Sequence, residues 1–304
     1  MIKIGNLVRY IKNRDYRLNV NMSRGLCDHW PDEKFIKERF RIKFGYELDL
    51  EHPKTFNEKL QWLKLNDRKP EYTTMVDKAA VKDYVRDIIG DQYLIPTLGV
   101  WDRFEDIDFD ILPDQFVLKC THDSHSVVIC RDKSQFDKKR TGKWLEKRLK
   151  QNYYYKYREW PYKNVHPRIL AEPYLEGGKQ GITDYKVLMF NGEPKALEVC
   201  STRFSDEGLC IDFYDTHWNR LPFHYEGTPV SSNGVEKPDE LETILNLARK
   251  LGKNLIHVRC DFYIAEGRVW FGELTFYRSA GFKRFVPEEW DRIMGDWICL
   301  PTDN

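Results

Sequence analysis

Two short segments near the C-terminus constrain the fold of this chain more than any other feature. Residues 257–265 and residues 268–275 flank Glu266-Gly267, and the first segment is apolar at every second position. Alternating segments that are joined by a two-residue turn predict a β-hairpin. We therefore expect antiparallel sheet in the C-terminal part of the chain.

The other positions of this hairpin carry charged side chains. Arg259 and Asp261 fall on one face of the first strand, and Phe271 and Glu273 are expected to share a face of the second. If the strands pair, Asp261 and Glu273 lie side by side, and two carboxylates that close repel each other unless a cation separates them. Mg²⁺ is the expected cation, because it takes one or two carboxylates and completes its shell with water and phosphate oxygens. The alternative is a pair of solvated strand acids that never meet.

Length, charge and cysteine content narrow the class of protein. The chain has 304 residues, enough for about two domains, and 41% of them are hydrophobic, as in a soluble globular protein. Lys and Arg total 49 against 48 Asp and Glu, so nothing favours a nucleic-acid partner. The seven cysteines form no Cys-x-x-Cys pair, which argues against a zinc site and fits a reducing cytoplasm.

Residues 1–20 form a basic segment with apolar residues at helical spacing, namely Ile4, Leu7, Val8 and Ile11. The pattern predicts an amphipathic helix that either makes a peripheral membrane contact or docks on the rest of the protein. No apolar run is long enough to span a bilayer, and no signal peptide is recognisable. We therefore expect a cytoplasmic protein, with the inner membrane surface as the alternative location.

Hydrophobic periodicity divides the chain into a helical first part and a mixed second part. Residues 1–90 are expected to be mostly helical, with a capping box at Thr55-Phe-Asn-Glu58 and a helix from about Tyr72 to Gly90. Predicted strands follow at 115–120, 127–130, 168–172, 184–190 and 195–200, and predicted helices at 141–152, 238–251 and 287–294. Asn191-Gly192 is a strong hairpin turn between two of these strands. The fold class is α+β.

One lysine on a predicted strand and a pair of lysines on a predicted helix are candidate binding residues. Lys119 ends an apolar strand before the polar loop 121–126, and a lysine that enters a buried strand needs a partner for its charge. A phosphate is one such partner, and a snorkelling lysine at the sheet edge is the alternative. Lys78 and Lys82 lie one turn apart on the predicted helix, where a solvated helix face is the simplest interpretation.

Two further segments carry recognition chemistry. The strand that contains Glu172 runs into a flexible hinge at 176–178, and its edge offers backbone groups to an adenine; it can equally be a strand followed by a loop. The aromatic cluster, defined as Tyr153, Tyr154, Tyr155, Tyr157, Trp160 and Tyr162, can stack on sugar rings or fill a packed interface. The phosphate-loop, nucleophile-elbow and dinucleotide fingerprints are missing, which removes the common NTPase, hydrolase and dinucleotide classes.

The order of these motifs resembles the ATP-grasp enzymes, and one branch in particular, the TupA-like ATP-grasp family of surface-polysaccharide gene clusters. The resemblance covers roughly residues 35–300 and includes Phe-Gly-Glu-Leu-Thr-Phe at 271–276. The other segments that carry it are 53–65, 77–78, 95–99, 116–119, 184–186 and 190–192. It implies two α+β subdomains that clasp ATP, at 91–172 on the lid side and at 173–304 with the hinge, metal and catalytic strands, after a helical region at 1–90.

The resemblance also implies roles for individual residues. The residues matching nucleotide contacts are Lys78, Lys119, Ser124, Glu172, Tyr174, Leu175 and Asp184, of which Glu172, Tyr174 and Leu175 match the adenine hinge and Asp184 the ribose acid. Asp261 and Glu273 match the Mg²⁺ ligands, with Thr275 where an Asn ligand is usual. Arg259 matches the catalytic arginine, and Lys186 a further phosphate or substrate contact. Loop 121–126 lacks the glycines of a usual ATP-grasp lid.

The implied reaction is an ATP- and Mg²⁺-dependent carboxylate–amine ligation through an acyl phosphate. The expected partners are a small amine and a carboxylate sugar or glycan, such as a uronic acid of a capsule or other surface polysaccharide. Arg278 and Ser279 form a candidate loop for the substrate carboxylate, because Arg pairs bidentately with carboxylates; a surface Arg beside a tight turn is the alternative. The alternative functions are a sugar or glycan phosphotransferase and a non-catalytic glycan-binding protein.

Overall fold

The fold is given by a computed structural model that describes residues 4–177, 181–202 and 208–301. The last hinge residue, Gly178, and the first three residues of the basic segment lie outside these ranges. The helices are α1 (Ile4–Lys12), α2 (Arg14–Ser23), α3 (Asp32–Phe44), α4 (Phe56–Asn66), α5 (Glu71–Val76), α6 (Val81–Ile89), α7 (Lys138–Leu149), α8 (Tyr154–Tyr157), α9 (Leu241–Gly252) and α10 (Glu289–Asp296).

The strands of the described ranges form three antiparallel sheets. They are β1 (Gly99–Trp101), β2 (Phe116–Cys120), β3 (Val127–Cys130), β4 (Ile169–Pro173), β5 (Asp184–Phe190), β6 (Glu193–Ser201), β7 (Cys210–Tyr214), β8 (His224–Tyr225), β9 (His257–Ala265), β10 (Arg268–Thr275) and β11 (Phe285–Val286). The first sheet has the order β1-β4-β2-β3, the second β10-β9-β5-β6-β7, and β8 pairs with β11. This α+β arrangement confirms the fold class expected from the sequence.

Local signals place several elements as predicted. The Thr55 hydroxyl accepts a hydrogen bond from the Glu58 N–H at 3.2 Å, and the Glu58 carboxylate accepts one from the Thr55 N–H at 2.9 Å. This reciprocal capping box starts α4. The turn between β5 and β6 has positive φ at Asn191 (49°) and Gly192 (85°), which is the backbone that an Asn-Gly hairpin favours.

The single helix expected from Tyr72 to Gly90 is wrong, because the chain leaves the helix at Asp77. The backbone of Asp77 is extended (ψ 113°), and its carboxylate accepts hydrogen bonds from the N–H groups of Ala79 (2.9 Å) and Ala80 (3.2 Å). An aspartate that bonds the following backbone in this way competes with helix formation. Two helices, α5 and α6, therefore replace one, and Lys78 and Lys82 no longer share a helix face.

Two main cores hold the sheets. The larger one joins α4, α5, α6, α9 and α10 to the five-stranded sheet and contains Leu60, Val85, Leu188, Ile244 and Val258. The smaller one lies under the four-stranded sheet, where Leu118 and Ile169 pack against Leu145 of α7. The last helices of the N-terminal region thus share a core with the C-terminal strands.

Arg158 attaches the N-terminal helices to the middle of the chain. Its side chain is fully buried, and its guanidinium donates to the backbone oxygens of Cys27 (3.2 Å), Asp28 (2.9 Å) and Trp30 (3.3 Å). The guanidinium also lies 4.3 Å from the ring centre of Phe35. All three hydrogen bonds come from Nη2, whereas Nε and Nη1 make none within the described ranges and Nε lies 3.4 Å from the Asp32 carboxylate. These contacts fix the segment that follows α8 to the region around residues 27–35.

The basic N-terminal segment forms α1 and α2, and α1 presents an exposed apolar stripe. Leu7, Val8 and Ile11 are 51%, 47% and 64% exposed. Among the helices of the described ranges, none combines the length and the apolarity needed to cross a bilayer.

Candidate active site

A row of charged side chains crosses the five-stranded sheet. Lys186 on β5 is in register with Glu198 on β6 and with Asp261 on β9, and Asp261 is in register with Glu273 on β10. The Lys186 ammonium lies 2.6 Å from the Asp261 carboxylate. The expectation that Asp261 and Glu273 lie side by side is confirmed.

Glu273 reaches this row through a β-bulge at Gly272. Phe271 pairs with Phe262, whereas Glu273 pairs with Asp261, so one extra residue is accommodated between them. The expectation that Phe271 and Glu273 share a face is therefore wrong: Phe271 faces the larger core, and Glu273 faces the site. A Cβ on Gly272 would lie 2.9 Å from the Tyr263 ring and 3.2 Å from the Asp261 backbone oxygen, which leaves room for glycine alone.

Arg259 holds the two acids together. Its guanidinium donates to both oxygens of Asp261, at 2.7 and 2.6 Å, and to Glu273 at 3.1 Å. It also donates to the Thr275 hydroxyl at 3.2 Å, and that hydroxyl donates to Glu273 at 3.1 Å. The bidentate Arg–carboxylate pair fixes the position of the guanidinium as well as its charge.

The electrostatics differ between the two acids. Burial raises the pKa of Asp261, and Arg259 and Lys186 oppose that rise. For Glu273 burial is outweighed by Lys78, Arg259 and Lys186, and the pKa is lowered to about 2. The Glu273 side chain is 38% exposed, so water weakens each of these interactions. Both acids nevertheless lie close to several positive charges. Because Lys78 lowers the pKa of Glu273, the segment between α5 and α6 lies within electrostatic range of this sheet.

The donor set suits a hard divalent cation. Asp261, Glu273 and Thr275 supply two carboxylates and a hydroxyl, which are oxygen ligands of the type that Mg²⁺ takes. Across the described ranges no group of three or more His, Cys, Asp or Glu side chains is arranged around a common metal position. A cation here would therefore depend on phosphate oxygens and water for most of its shell.

A second cluster of opposite charges lies on the four-stranded sheet. The Glu172 carboxylate is 2.5 Å from the Lys119 ammonium and 2.6 Å from the Lys82 ammonium. Lys82 also donates to the backbone oxygen of Ile95 at 2.8 Å. Burial raises the pKa of Glu172, but the two lysines outweigh it and lower the pKa. Lys82 was not among the expected site residues, because its partner Glu172 comes from a distant strand.

Loop 121–126 contains no glycine, and hydrogen bonds that involve side chains hold it in position. The Asp123 carboxylate accepts from Arg148 at 2.6 Å and from the Ser126 hydroxyl. Arg148 also donates to the backbone oxygen of Ser124 at 3.2 Å, and Lys78 donates to the backbone oxygen of Asp123. The loop thus carries Ser124 next to Lys78, which brings two of the expected phosphate contacts together.

The hinge residues pack beside the tip of the β9–β10 hairpin. Leu175 is buried in a small cluster with Ile95, Ala265 and Trp270. The Tyr174 ring lies 5.6 Å from the Arg131 guanidinium. Asp184 begins β5, opposite Tyr263, and its carboxylate is 3.4 Å from the Lys186 ammonium. The two sheets therefore approach each other at the hinge, on the side where Glu172 and Asp184 lie.

The Arg278 side chain is only 16% exposed and is bound to an acid, so the surface-arginine alternative does not describe it. Its guanidinium donates to Glu198 at 2.5 Å and lies 4.6 Å from the Tyr225 ring centre. The next residue, Ser279, accepts a hydrogen bond from Arg278 and has a left-handed backbone (φ 47°). Glu198 was not expected from the sequence; it lies at the end of the charged row and holds Arg278 beside it.

The residues of the aromatic cluster have two different surroundings: Tyr154 packs in the protein interior, and Tyr153 and Tyr162 lie beside the candidate site. Tyr154 is buried against the N-terminal region, where its hydroxyl bonds Asp32. Tyr153 and Tyr162 contact each other edge to face, with ring centres 4.9 Å apart, and both are partly exposed. Tyr162 is within electrostatic reach of Glu273 and Arg259. One part of the cluster therefore belongs to a packed interface, and another borders the site.

These features are those of an ATP-grasp protein: two antiparallel sheets meet at a hinge, one sheet carries Lys119 with Lys82 of α6 nearby, and the other has an Arg-x-Asp pair facing a Glu. The sequence model of the TupA-like ATP-grasp family matches residues 58–299, and the chain belongs to that family. This confirms the resemblance drawn from the sequence and the ATP-grasp fold. No curated protein matches the chain.

Several solved ligase and synthetase structures are similar to this chain at low sequence identity. D-alanine–D-alanine ligase from Bacillus anthracis, complexed with ATP, is 18% identical over 67% of this chain and 54% of its own, with a TM-score of 0.38. The ligase PsnB, complexed with minimal precursor, Mg and ADP, is 11% identical over 84% and 65%, with a TM-score of 0.39. D-cycloserine synthetase DcsG is 14% identical over 73% and 69%, with a TM-score of 0.38. The chain thus spans about half the length of the first of these.

Proposed function

We propose that this protein is an ATP- and Mg²⁺-dependent ligase that joins a carboxylate to an amine through an acyl phosphate. The observation that carries the proposal is the contact of Arg259 with both Asp261 and Glu273 at the bulge. Two acids held at an arginine, within the field of Lys186 and Lys78, form a charge pattern suited to a metal–triphosphate complex. Membership of the TupA-like ATP-grasp family supports the same assignment.

In this proposal each cluster has one task. Lys78, Lys119 and Ser124 bind the ATP phosphates, while the strand edge at Glu172, with Tyr174 and Leu175, receives the adenine and Asp184 the ribose. Asp261, Glu273 and Thr275 would hold Mg²⁺, which neutralises phosphate charge when it is bound. The proximity of Lys186 to Asp261 keeps a positive charge beside these groups.

Arg259 is the catalytic residue of the first step. A substrate carboxylate oxygen attacks the γ-phosphorus of ATP, the bond to the β–γ bridging oxygen breaks, and ADP leaves with an acyl phosphate formed. The guanidinium is positioned to stabilise negative charge on the transferring group, since it is fixed by Asp261 and needs no reorganisation. Positioning and charge neutralisation supply most of the rate in such a transfer.

The proposed substrates rest on the resemblance to a family of surface-polysaccharide gene clusters. We propose a uronic acid of a surface polysaccharide or its precursor as the carboxylate, and an amino acid or a small amino alcohol as the amine. Arg278 and Ser279 lie beside the metal strand and are the proposed carboxylate-binding loop. A sugar phosphotransferase would use the same ATP site and release a stable phosphorylated product, whereas a glycan-binding protein would use the aromatic cluster without turnover of ATP.

One assay separates these functions. The protein is incubated with ATP, Mg²⁺, a panel of uronic acids and a panel of amines, and ADP and free phosphate are measured. Amine-dependent ADP with stoichiometric phosphate supports the ligase. ADP without phosphate release identifies a phosphotransferase, and no ADP with any substrate contradicts both enzymatic functions.

Asp261→Asn tests the metal role. The amide keeps the shape of the side chain but removes the negative charge, so we expect a folded protein of lower stability in which Mg²⁺-dependent turnover falls by about 100-fold or more. Circular dichroism checks the fold, and ADP release across a Mg²⁺ titration checks the role. Full Mg²⁺-dependent turnover in the variant would exclude Asp261 as a ligand.

We also propose that the protein is cytoplasmic and contacts the inner membrane surface through α1. The exposed stripe of Leu7, Val8 and Ile11 supports this, because Arg9 and Lys12 in the last turn of the same helix favour an anionic surface. Co-sedimentation with phosphatidylglycerol vesicles, compared with phosphatidylcholine vesicles, tests the contact. Binding that persists in Leu7→Gln/Ile11→Gln would contradict it.

A further inference from the structure

Glu159 is a buried acid beside the site that the mechanism above does not use. Its residue surface is only 4% exposed, and within the described ranges its carboxylate has no hydrogen-bond or ion-pair partner. Neither of its oxygens is among the fully enclosed polar atoms that lack a partner. The carboxylate oxygens are therefore not completely enclosed, although most of the residue is covered.

Lys64 ties the Glu159 segment to the loop at 278–281 by donating to the backbone oxygens of Tyr157 (3.0 Å) and Ala280 (2.7 Å). Arg259 and Glu273 are the site residues whose charges reach Glu159. Both of these residues act on Glu159 electrostatically, Glu273 raising its pKa and Arg259 lowering it. The charges of Glu159 and Glu273 both raise the pKa of Tyr162, and the ring of Tyr162 contacts the ring of Tyr153. The unpartnered carboxylate and the partly exposed tyrosines thus border the catalytic strands.

Two of the three cations that act on Glu159 are already bound to other groups, and the third, Lys156, is exposed. The Lys64 ammonium donates to the Gln61 side-chain oxygen at 2.8 Å and to the backbone oxygens of Tyr157 (3.0 Å) and Ala280 (2.7 Å), which uses its three protons. The Arg259 guanidinium is bound to Asp261 and Glu273. Glu159 therefore lies in a positive field but receives no donor, and a buried carboxylate in that position gains most from a cationic ligand.

We propose that Glu159 binds the ammonium group of the incoming amine and accepts its proton before attack on the acyl phosphate. This inference rests on the proposed ligase function and names the residue for its second substrate. The amine nitrogen forms a bond to the acyl carbon, the bond from that carbon to the phosphate oxygen breaks, and phosphate leaves. Of the two protons that the ammonium must lose, one passes to Glu159 and the other departs with the phosphate.

The environment of Glu159 suits both tasks. Burial raises its pKa to about 7, and Lys64 and Lys156 oppose the rise. A carboxylate with that pKa binds an ammonium and then holds its proton near neutral pH. The charged or titratable groups that face it are Lys64, Lys156, Tyr153, Tyr162, Arg259, Glu273 and Tyr277.

The test compares an amine with hydroxylamine in Glu159→Gln. Hydroxylamine is uncharged near neutral pH and converts an acyl phosphate to a hydroxamate without a base. With glucuronic or galacturonic acid, ATP and Mg²⁺, we expect hydroxamate formation in the variant within about twofold of the unaltered protein. With glycine or ethanolamine in place of hydroxylamine, the KM for the amine is expected to rise about 10- to 100-fold, with the KM for ATP unchanged.

Two further variants complete the design. Asp291→Asn is the matched control, because Asp291 is another buried acid with a raised pKa but lies between α4 and α10, bonded to Asn57. Glu159→Asp keeps the charge and should recover part of the amine dependence. Unchanged amine kinetics in Glu159→Gln, or equal loss of both reactions in Glu159→Gln and Glu159→Asp, would overturn the inference. Absence of hydroxamate in the unaltered protein would overturn the ligase itself and this inference with it.

Discussion

At the residue scale, substitution of Lys119 is the most direct test of the proposed nucleotide site. Its ammonium pairs with Glu172, whose other oxygen is bound by Lys82. In Lys119→Ala the carboxylate keeps one cation, so the fold should survive, while a phosphate loses a direct partner. We expect the dissociation constant for a non-hydrolysable ATP analogue with Mg²⁺ to rise about 10- to 100-fold, measured by calorimetry.

Lys143→Ala supplies the control for that measurement. Lys143 is exposed on α7, so its removal changes net charge by the same amount without touching the site. Equal affinities in the two variants would show that Lys119 acts only as a distant charge, or not at all, and would remove it from the proposed phosphate contacts.

At the scale of elements, the bulge at Gly272 is expected to set the spacing of the proposed metal ligands, Asp261 and Glu273. Gly272→Ala places a methyl group against the Tyr263 ring and the Asp261 backbone, so the hairpin must shift. We expect a loss of stability of about 1–3 kcal/mol and a higher Mg²⁺ concentration for half-maximal activity. Thermal unfolding and a Mg²⁺ titration measure the two effects. A less stable protein with an unchanged Mg²⁺ midpoint would mean that the bulge serves packing alone.

The same element shows how far sequence reasoning extends. Alternation and a two-residue turn predicted the β9–β10 hairpin, and the pairing of Asp261 with Glu273 followed from it. The faces of Phe271 and Glu273 were not predictable, because a bulge depends on which residues the partner strand presents. The break between α5 and α6 was missed for a related reason: Asp77 favours a local turn whose partner, Arg168, lies far away in the chain, at 2.8 Å in space.

The candidate site was predictable to a similar degree. Residues within short motifs, such as Arg259 and Asp261, were found because their spacing is local. Lys82, Glu198 and Glu159 were missed, since each is defined by a neighbour that comes from another element. The metal, nucleotide and substrate roles of the site residues stay predictions.

At the scale of the whole molecule, buried acids control stability at low pH. Glu198 is buried beside Arg278, and the nearby cations, chiefly Arg278 and Arg259, outweigh burial and lower its pKa from 4.5 to about 2. A group whose pKa is depressed in the folded state stabilises the protein above its unfolded pKa. That stabilisation is lost as the pH falls from about 4.5 toward 2. By its pKa shift Glu198 contributes on the order of 3 kcal/mol at neutral pH.

Glu198→Gln should remove much of this pH dependence. Urea unfolding at pH 5 and at pH 3 is expected to give a smaller difference in stability for the variant than for the unaltered protein, together with a lower stability at pH 5. The Asp291→Asn variant is again the control, because a raised pKa acts in the opposite direction. Parallel pH profiles for the unaltered protein and Glu198→Gln would show that other groups govern acid unfolding.

The buried Arg158 joins the N-terminal region to the segment that follows α8, so both are needed for a correctly packed protein. A chain trimmed to the family-matched segment would keep this guanidinium but lose the carbonyl groups of Cys27, Asp28 and Trp30 that receive its protons. The residue after it is Glu159, so a loosened arginine would misplace the neighbouring acid as well. A gene fragment that begins after residues 27–35 would therefore encode the β9–β10 hairpin without the contacts that fix Arg158 and the proposed amine-binding acid beside it.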